Sequence, residues 1–344
     1  MSAGTPLGER YWAALAAGDR RGAVRLALES LESGSTIEQT LSELVCPAQV
    51  EVGRRWASNE WNVAREHIAT SISEEVVAAL AAATDATPTR VGTAVVCCVE
   101  GEWHALPARV LSETLRVNGW DVHYLGASLP AQHLAQYVHD VGPDVIGLSC
   151  SVSTSLPHAR HMIEASRGAG VPVVAGGRGF GADGRWARAL GANGWAPTAT
   201  DAVRLLSQPT WPRYADPAPA LPHPDDAAPL LRSGAHDLAL QAMGRLEQRF
   251  PAMRQYPSAA LDRTREDLEH IVEFLSAALF VDDATLFVEF VEWLHELLAA
   301  RHVPDVALTS GLEAVREVVP DVQRVRQFVD TARAAVDARL TRSA

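Results

Sequence analysis

The sequence is poor in cysteine. Its 344 residues include four, Cys46, Cys97, Cys98 and Cys150, and none beyond position 150. These spacings match neither a zinc motif nor the framework of a small disulfide-stapled domain. Cys97 and Cys98 are neighbours on an expected strand, so they point to opposite faces and read as buried thiols. Positive charge is also short: 30 basic residues stand against 42 acidic ones, a net charge of −12. No Lys/Arg-rich block and no helix-turn-helix segment stands out, which argues against a direct nucleic-acid partner. There is no apolar run of about 18 residues and no charged-then-apolar leader. The expectation is a soluble, cytoplasmic protein without a membrane partner.

What is present is an ordinary globular composition, 47% hydrophobic and 21% charged, with length for two or three domains. The expected fold class is multi-domain α and α/β. Residues 8–86 show apolar positions at three- and four-residue steps, as in YWAALAAGDRRGAVRLALESL, and predict a four-helix bundle. Thr36 with Gln39 has the spacing of a capping box. Residues 87–207 alternate strands and helices. Strands are expected at 91–99, 121–126, 144–150, 171–177 and near 192–195. Such alternation means a doubly wound parallel sheet, and the flavodoxin-like order 2-1-3-4-5 is the natural choice. Residues 208–234 are rich in proline and read as a linker, although Trp211 and Tyr214 suit a packed surface better. Residues 235–344 are helical again and make a separate all-α domain. No zinc motif, nucleotide loop or kinase motif occurs there, and no catalytic output is evident.

The chemistry concentrates on the stretch VVCCVEGEWHALPARVL, Val95 to Leu111. A strand ends in a polar turn carrying Glu102 and His104, and a helix follows. Such turns lie at the carboxyl edge of a parallel sheet, where open α/β folds bind ligands. A histidine held by a carboxylate is able to ligate a metal; it is also able to be a plain surface residue. Three features converge: Trp56 with Glu66-His67 ten positions on, Glu102-x-His104, and Ser149-Cys150-Ser151 with Gly176-Gly177. Each has a bland alternative. Trp56 also reads as a core anchor, Glu66-His67 as a solvated helix face, and Gly-Gly as a turn.

Residues 8–205 resemble a cobalamin-binding module, a helical cap followed by a flavodoxin-like domain. The acid-x-His turn, the third-strand serine and the Gly-Gly pair carry that resemblance. The Trp-x9-Glu-His motif is similar to that of the CarH-type light receptors, which hold adenosylcobalamin. The resemblance implies His104 as the lower axial ligand of cobalt, with Glu102 accepting its other N–H and Trp103 beside it. It implies that Ser149, Ser151, Ser153 and Thr154 bind the nucleotide tail, with Gly176 and Gly177 leaving room. Trp56 would cap the upper face, Glu66 would bind the adenosyl group, and His67 would lie near. Two departures stand out. Pro107 replaces the family glycine, and Ser151 replaces a leucine. In some of these receptors the residue after the tryptophan is a histidine; here it is Ala57.

The domain order, cobalamin module then helical domain, resembles the photocobilins, which add a bilin-binding, globin-like domain. That implies a light-sensing photoreceptor and not an enzyme, with adenosylcobalamin and non-covalent biliverdin as chromophores. Non-covalent binding follows because no cysteine lies in that domain. Bilin candidates are Arg254, Arg263 and Arg265 for propionates, His270 and His295 for pyrroles, and Tyr256 and Trp293 for the rings. A homo-dimer and a downstream protein of unknown identity complete the expectation. The alternative is a corrinoid methyl carrier or mutase-type cobalamin subunit without a photoreceptor role.

Overall fold

The computed structural model describes residues 5–83, 89–221 and 227–343. They form two compact units divided after Pro219.

The first unit opens with α1 (Pro6–Ala17), α2 (Arg20–Glu32), α3 (Ile37–Thr40), α4 (Cys46–Ala57) and α5 (Val63–Ala82). Thr5, Asp19, Thr36 and Asn62 start four of them, each side chain accepting a backbone N–H three residues on. Thr36 and Gln39 form the complete capping box. α3 runs into α4 through one π turn, Leu41–Val45. Pro47 has no N–H for the carbonyl four residues before it, and the wider turn absorbs that gap without ending the helix. Joined in this way, the helices make a four-helix bundle. Its core, including Tyr11, Leu15, Leu41 and Leu80, continues into Leu106 and Val110 of the sheet domain's first helix. Asn118 of the sheet domain also donates to Glu38 at 3.0 Å. The bundle and the sheet domain therefore share one apolar contact.

The sheet domain has five parallel strands: β1 (Gly92–Cys98), β2 (Trp120–Gly126), β3 (Val145–Ser149), β4 (Val173–Gly176) and β5 (Gly194–Ala196). Their order is β2-β1-β3-β4-β5, the flavodoxin-like arrangement. The connections carry α6 (Leu106–Val117), α7 (Ala131–Val141), α8 (Leu156–Gly168) and α9 (Arg185–Ala189), and α10 (Ala199–Leu206) follows β5. β3 and most of β1 are buried on both faces, which explains their unbroken apolar runs. The switch point falls between these two strands. β5 starts at 194 and not near 192, because the Ala192 N–H is still closing α9 on the Ala187 carbonyl.

The expected linker is a different object. Residues 208–219 pack along the first unit: Ala215 N–H donates to Gly170, and Arg167 and Arg160 donate to the carbonyls of Asp216 and Pro219 at 2.7 and 2.6 Å. Trp211 joins the sheet core, whereas Tyr214 is 85% exposed. Residues 227–233, also assigned to the linker, are helix α11 (Ala227–Ser233). Residues 222–226 lie outside the described residues.

The second unit continues with α12 (Ala235–Arg249), a 3-10 turn (Pro251–Gln255), α13 (Ser258–Phe280), α14 (Ala284–Ala300), α15 (Asp305–Val318) and α16 (Gln323–Ser343). Leu275, Phe287, Val291 and Leu312 are among its buried residues. It has no strand among the described residues. No helix of the described residues is long and apolar enough to cross a membrane.

Candidate functional site

The turn between β1 and α6 is tied down from several sides. Val99 N–H donates to the Ser149 carbonyl on β3. Gly101, at φ 81°, donates its N–H to Ser128 Oγ at 3.1 Å, and Ser128 N–H returns to the Glu102 carbonyl. Pro107 sits in the first turn of α6, where its missing N–H has no intrahelical partner to lose.

Glu102 is 1% exposed and fully used. One carboxylate oxygen accepts from His104 Nδ1 at 2.6 Å and from the His104 backbone N–H at 2.9 Å. The other accepts from the backbone N–H groups of Ser151 at 2.5 Å and Val152 at 3.1 Å. Burial pushes this carboxyl upward. The hydrogen bonds from His104 and the backbone outweigh it and hold the group below the usual carboxylate range. The same hydrogen bond raises His104 above an ordinary imidazole against the opposing effect of burial. The charges of Glu102 and Glu66 add to the rise. A carboxylate only accepts, so Nδ1 carries the proton and Nε2 is the nitrogen open to a ligand. The His104 side chain is 64% exposed.

Among the described residues no group of three or more His, Cys, Asp or Glu side chains forms a metal cage. One oriented imidazole suits a metal that brings its other donors with it, as a corrin does.

Behind the turn, Ser149 ends β3 at 4% exposure, and its Oγ has no hydrogen-bond partner among the described residues. An unpaired buried hydroxyl costs about 1–3 kcal/mol, and a ligand's polar group at that position would recover it. Gly176 pairs with Ser149 across the strands. A Cβ on Gly176 would meet the Ala196 carbonyl oxygen at 3.3 Å. Gly177 has another reason to be glycine. Its φ is 100° and a Cβ there would collide with the backbone of Cys150, just past β3, so the protein's own chain demands it. Ser151 acts through its backbone N–H on Glu102. Ser153 and Thr154 lie half-buried at the 3-10 turn Ser153–Ser155 beside it. Trp103 is exposed, at 75%.

In the cap, Trp56 is half-buried near the end of α4, and Glu66 and His67 lie early in α5. Glu66 accepts from Thr70 Oγ1 at 2.8 Å and lies 2.5 Å from His67 Nδ1. Gln49 Oε1 lies 3.2 Å from Thr70 Oγ1, and Gln49 Nε2 donates to Ser73 Oγ at 2.6 Å. The loop between Trp56 and Glu66 is fastened by Trp61, which stacks on Trp12 at 5.4 Å, with Arg65 and Arg55 over the two rings. The bundle that carries these residues shares its core with Leu106 and Val110, just after His104 in the chain.

Sequence reasoning missed Val152, Ser128, Gln49 and Thr70. Thr70 was within reach, four residues from Glu66 on one helix face. Val152 and Ser128 contribute through backbone groups or a distant loop and leave no pattern.

The bilin candidates do not converge as a set. Arg254 pairs with Glu247 at 3.0 Å, Arg265 with Glu269 at 3.0 Å, and His295 Nε2 with Asp305 at 2.9 Å. Tyr256 packs edge-on against Phe250. Arg263 and His270 are exposed on α13. Trp293 lies on α14 beside Phe290, which stacks on Phe274 at 3.8 Å.

Comparisons with known proteins agree with this geometry. A B12 binding domain family matches residues 92–205, and a second B12 binding domain family matches residues 7–81. Dimethylamine corrinoid protein 3 of Methanosarcina mazei is 33% identical over 118 residues, 33% of this chain and 70% of that protein. Dimethylamine corrinoid protein 1 of Methanosarcina acetivorans is also 33% identical over 118 residues, and this chain spans 54% of its length. The HTH-type transcriptional repressor CarH of Myxococcus xanthus is 32% identical over 143 residues, 40% of this chain and 47% of that one. The monomethylamine corrinoid protein of Methanosarcina barkeri has the same fold at a TM-score of 0.52 and 17% identity, covering 58% of this chain and 95% of its own.

Proposed function

The chain belongs to the family built on the B12 binding domain, and from that premise we propose that it is a light receptor for adenosylcobalamin, whose cobalt His104 Nε2 would hold. Cobalamin binding follows from the family. The observation that carries the finer reading is the meeting of two elements: the cap bundle that bears Trp56 and Glu66 shares its core with Leu106 and Val110, at the start of the helix that follows His104.

Adenosylcobalamin, when bound, supplies a cobalt–carbon bond that visible light cleaves. The chain's own residues prepare the site for it. Glu102 fixes the His104 tautomer and presents Nε2 to the metal. Ser149 offers its unpaired Oγ to the nucleotide tail, and Ser151, Ser153 and Thr154 line the same loop. Gly176 keeps the strand edge open. Trp56 would cover the bound cofactor, and Glu66 would accept from the adenosyl hydroxyls with His67 beside it. Trp103 borders the turn. Loss of those contacts would free the bundle to shift on α6, the helix whose Leu106 and Val110 it shares. A change in homo-dimer assembly or in contact with a downstream protein is the readout. The chain acts in the cytoplasm as a sensor without a catalytic step of its own. The second unit, globin-like and without cysteine, holds biliverdin non-covalently.

The names of the corrinoid relatives favour a second reading, a methyl carrier. Trp56 over the upper face argues against it, since a carrier must present cobalt to another enzyme. Hydrogen exchange separates the two. With adenosylcobalamin bound, green light should raise exchange in α4 and α5; identical exchange in dark and light would contradict the sensor.

A further inference from the structure

α2 carries its charges in an order that its own backbone disfavours. Arg20 and Arg21 open the helix, Arg25 follows one turn on, and Glu29 and Glu32 close it. The first turn holds no acid and the last turn no base. A helix is partially positive at its N-terminal end and partially negative at its C-terminal end, so each end of α2 repels the side chains placed on it. This order does not serve the isolated helix.

Part of the set is absorbed within the cap. Arg20 pairs with Glu75 of α5, and Arg10 of α1 grips Glu29 at 2.9 and 3.1 Å. Exposed Arg21 and Glu32 form no ion pair among the described residues, and the charge of exposed Arg25 acts on Glu29 of its own helix. Arg21, Arg25, Leu28 and Glu32 fall three or four residues apart and share one face. Val24 and Leu28 are half-buried on it. Beside it a groove of about 980 Å3 runs between α2 and α5, lined on the α5 side by Ala78 and Ala79, whose short side chains let another helix come close.

An antiparallel copy of α2 answers each of these features. With residue 21 laid against residue 32, Arg21 meets the partner's Glu32 at both ends, and Arg25 comes beside the partner's Glu29. Val24 and Leu28 meet near the two-fold axis. Each basic first turn also rests against the negative end of the other helix. A partner of one charge sign, such as nucleic acid or an acidic peptide, would meet like charge at one end of the same face.

We propose that the α2–α5 face of the cap is a self-association surface, and that its occupant is the same face of a second copy of this chain, α2 against α2 in antiparallel register. Such a contact is isologous and closes at two copies. It is independent of the light-receptor reading, since it uses none of the residues given to the cofactor.

Sedimentation velocity of the full chain in the dark, over a range of protein concentrations, tests it. Wild type should form a dimer that added salt dissociates, because exposed charge pairs are screened. Arg21→Glu/Arg25→Glu and Glu29→Arg/Glu32→Arg should each run as monomers. An equimolar mixture of the two should regain the dimer mass, since one presents acids along the seam and the other bases. Far-UV circular dichroism checks the helix content of each variant. Ala78→Arg, at an exposed position beside the seam, should also give a monomer, and it decides the matter if a charge reversal misfolds. A monomeric wild type overturns the proposal. So does a dimer that folded variants leave intact, or a mixture of folded charge reversals that stays monomeric.

Discussion

Glu102 holds His104 at two points: one carboxylate oxygen takes both the imidazole Nδ1, at 2.6 Å, and the backbone N–H of the same residue, at 2.9 Å. The other oxygen takes two N–H groups, Ser151 and Val152, from the loop after the third strand. The loops flanking the switch point are thus joined through one buried carboxylate.

Replacing that carboxylate tests the arrangement. Glu102→Gln keeps the size but turns an NH2 toward N–H donors, either at Ser151 and Val152 or at His104. Cobalamin affinity should fall by about 10–100-fold, the usual cost of losing such a support. Titration of the apo-protein with cobalamin, followed by absorbance, measures it. Unchanged affinity would show that His104 is not oriented by Glu102.

Ser149→Ala separates a ligand-binding hydroxyl from a structural one. With no partner for Oγ among the described residues, the apo-protein should lose no stability in urea unfolding. The same substitution should weaken cobalamin binding by about 1 kcal/mol or more, the worth of one hydrogen bond. Equal affinities would take the nucleotide tail away from Ser149.

Gly177→Ala should destabilise even the cofactor-free protein. A Cβ at φ 100° against the Cys150 carbonyl requires backbone movement, with a cost of about 1–3 kcal/mol or more. Urea unfolding without cobalamin reads this directly. A neutral result would mean that the glycine serves the ligand and not the protein's own chain.

The cap carries a pH dependence. Hydrogen bonds from Arg54 lower Glu51 to about 2; burial opposes them and Arg55 assists. A carboxyl lowered by folding stabilises above its unfolded value of about 4.5 and loses that contribution as pH falls toward about 2. Thermal melts of wild type and Glu51→Gln should therefore differ at pH 7 and approach each other near pH 3. A difference that stays constant with pH would remove Glu51 from the linkage.

The sheet was legible because β1 and β3 are buried on both faces and so read as unbroken apolar runs, and the Thr36–Gln39 box is written in two residues. Glu102 and His104 were legible as a turn, but their anchoring was not, since Ser151 and Val152 act through backbone N–H groups that any residue supplies. The proline-rich stretch left two readings open, a linker and a packed surface strip, for a physical reason. Proline disfavours regular structure, yet Trp211 and the carbonyls of Asp216 and Pro219 give it a surface to lie on. In the second unit, composition showed aromatics and cations but not which cations already had partners.

The most direct test of the account is the absorption spectrum of the protein loaded with adenosylcobalamin in the dark, recorded before and after green light. The account predicts that illumination converts the spectrum and that His104→Ala alters the dark spectrum by removing the imidazole below cobalt. A wild-type spectrum that green light leaves unchanged would contradict it.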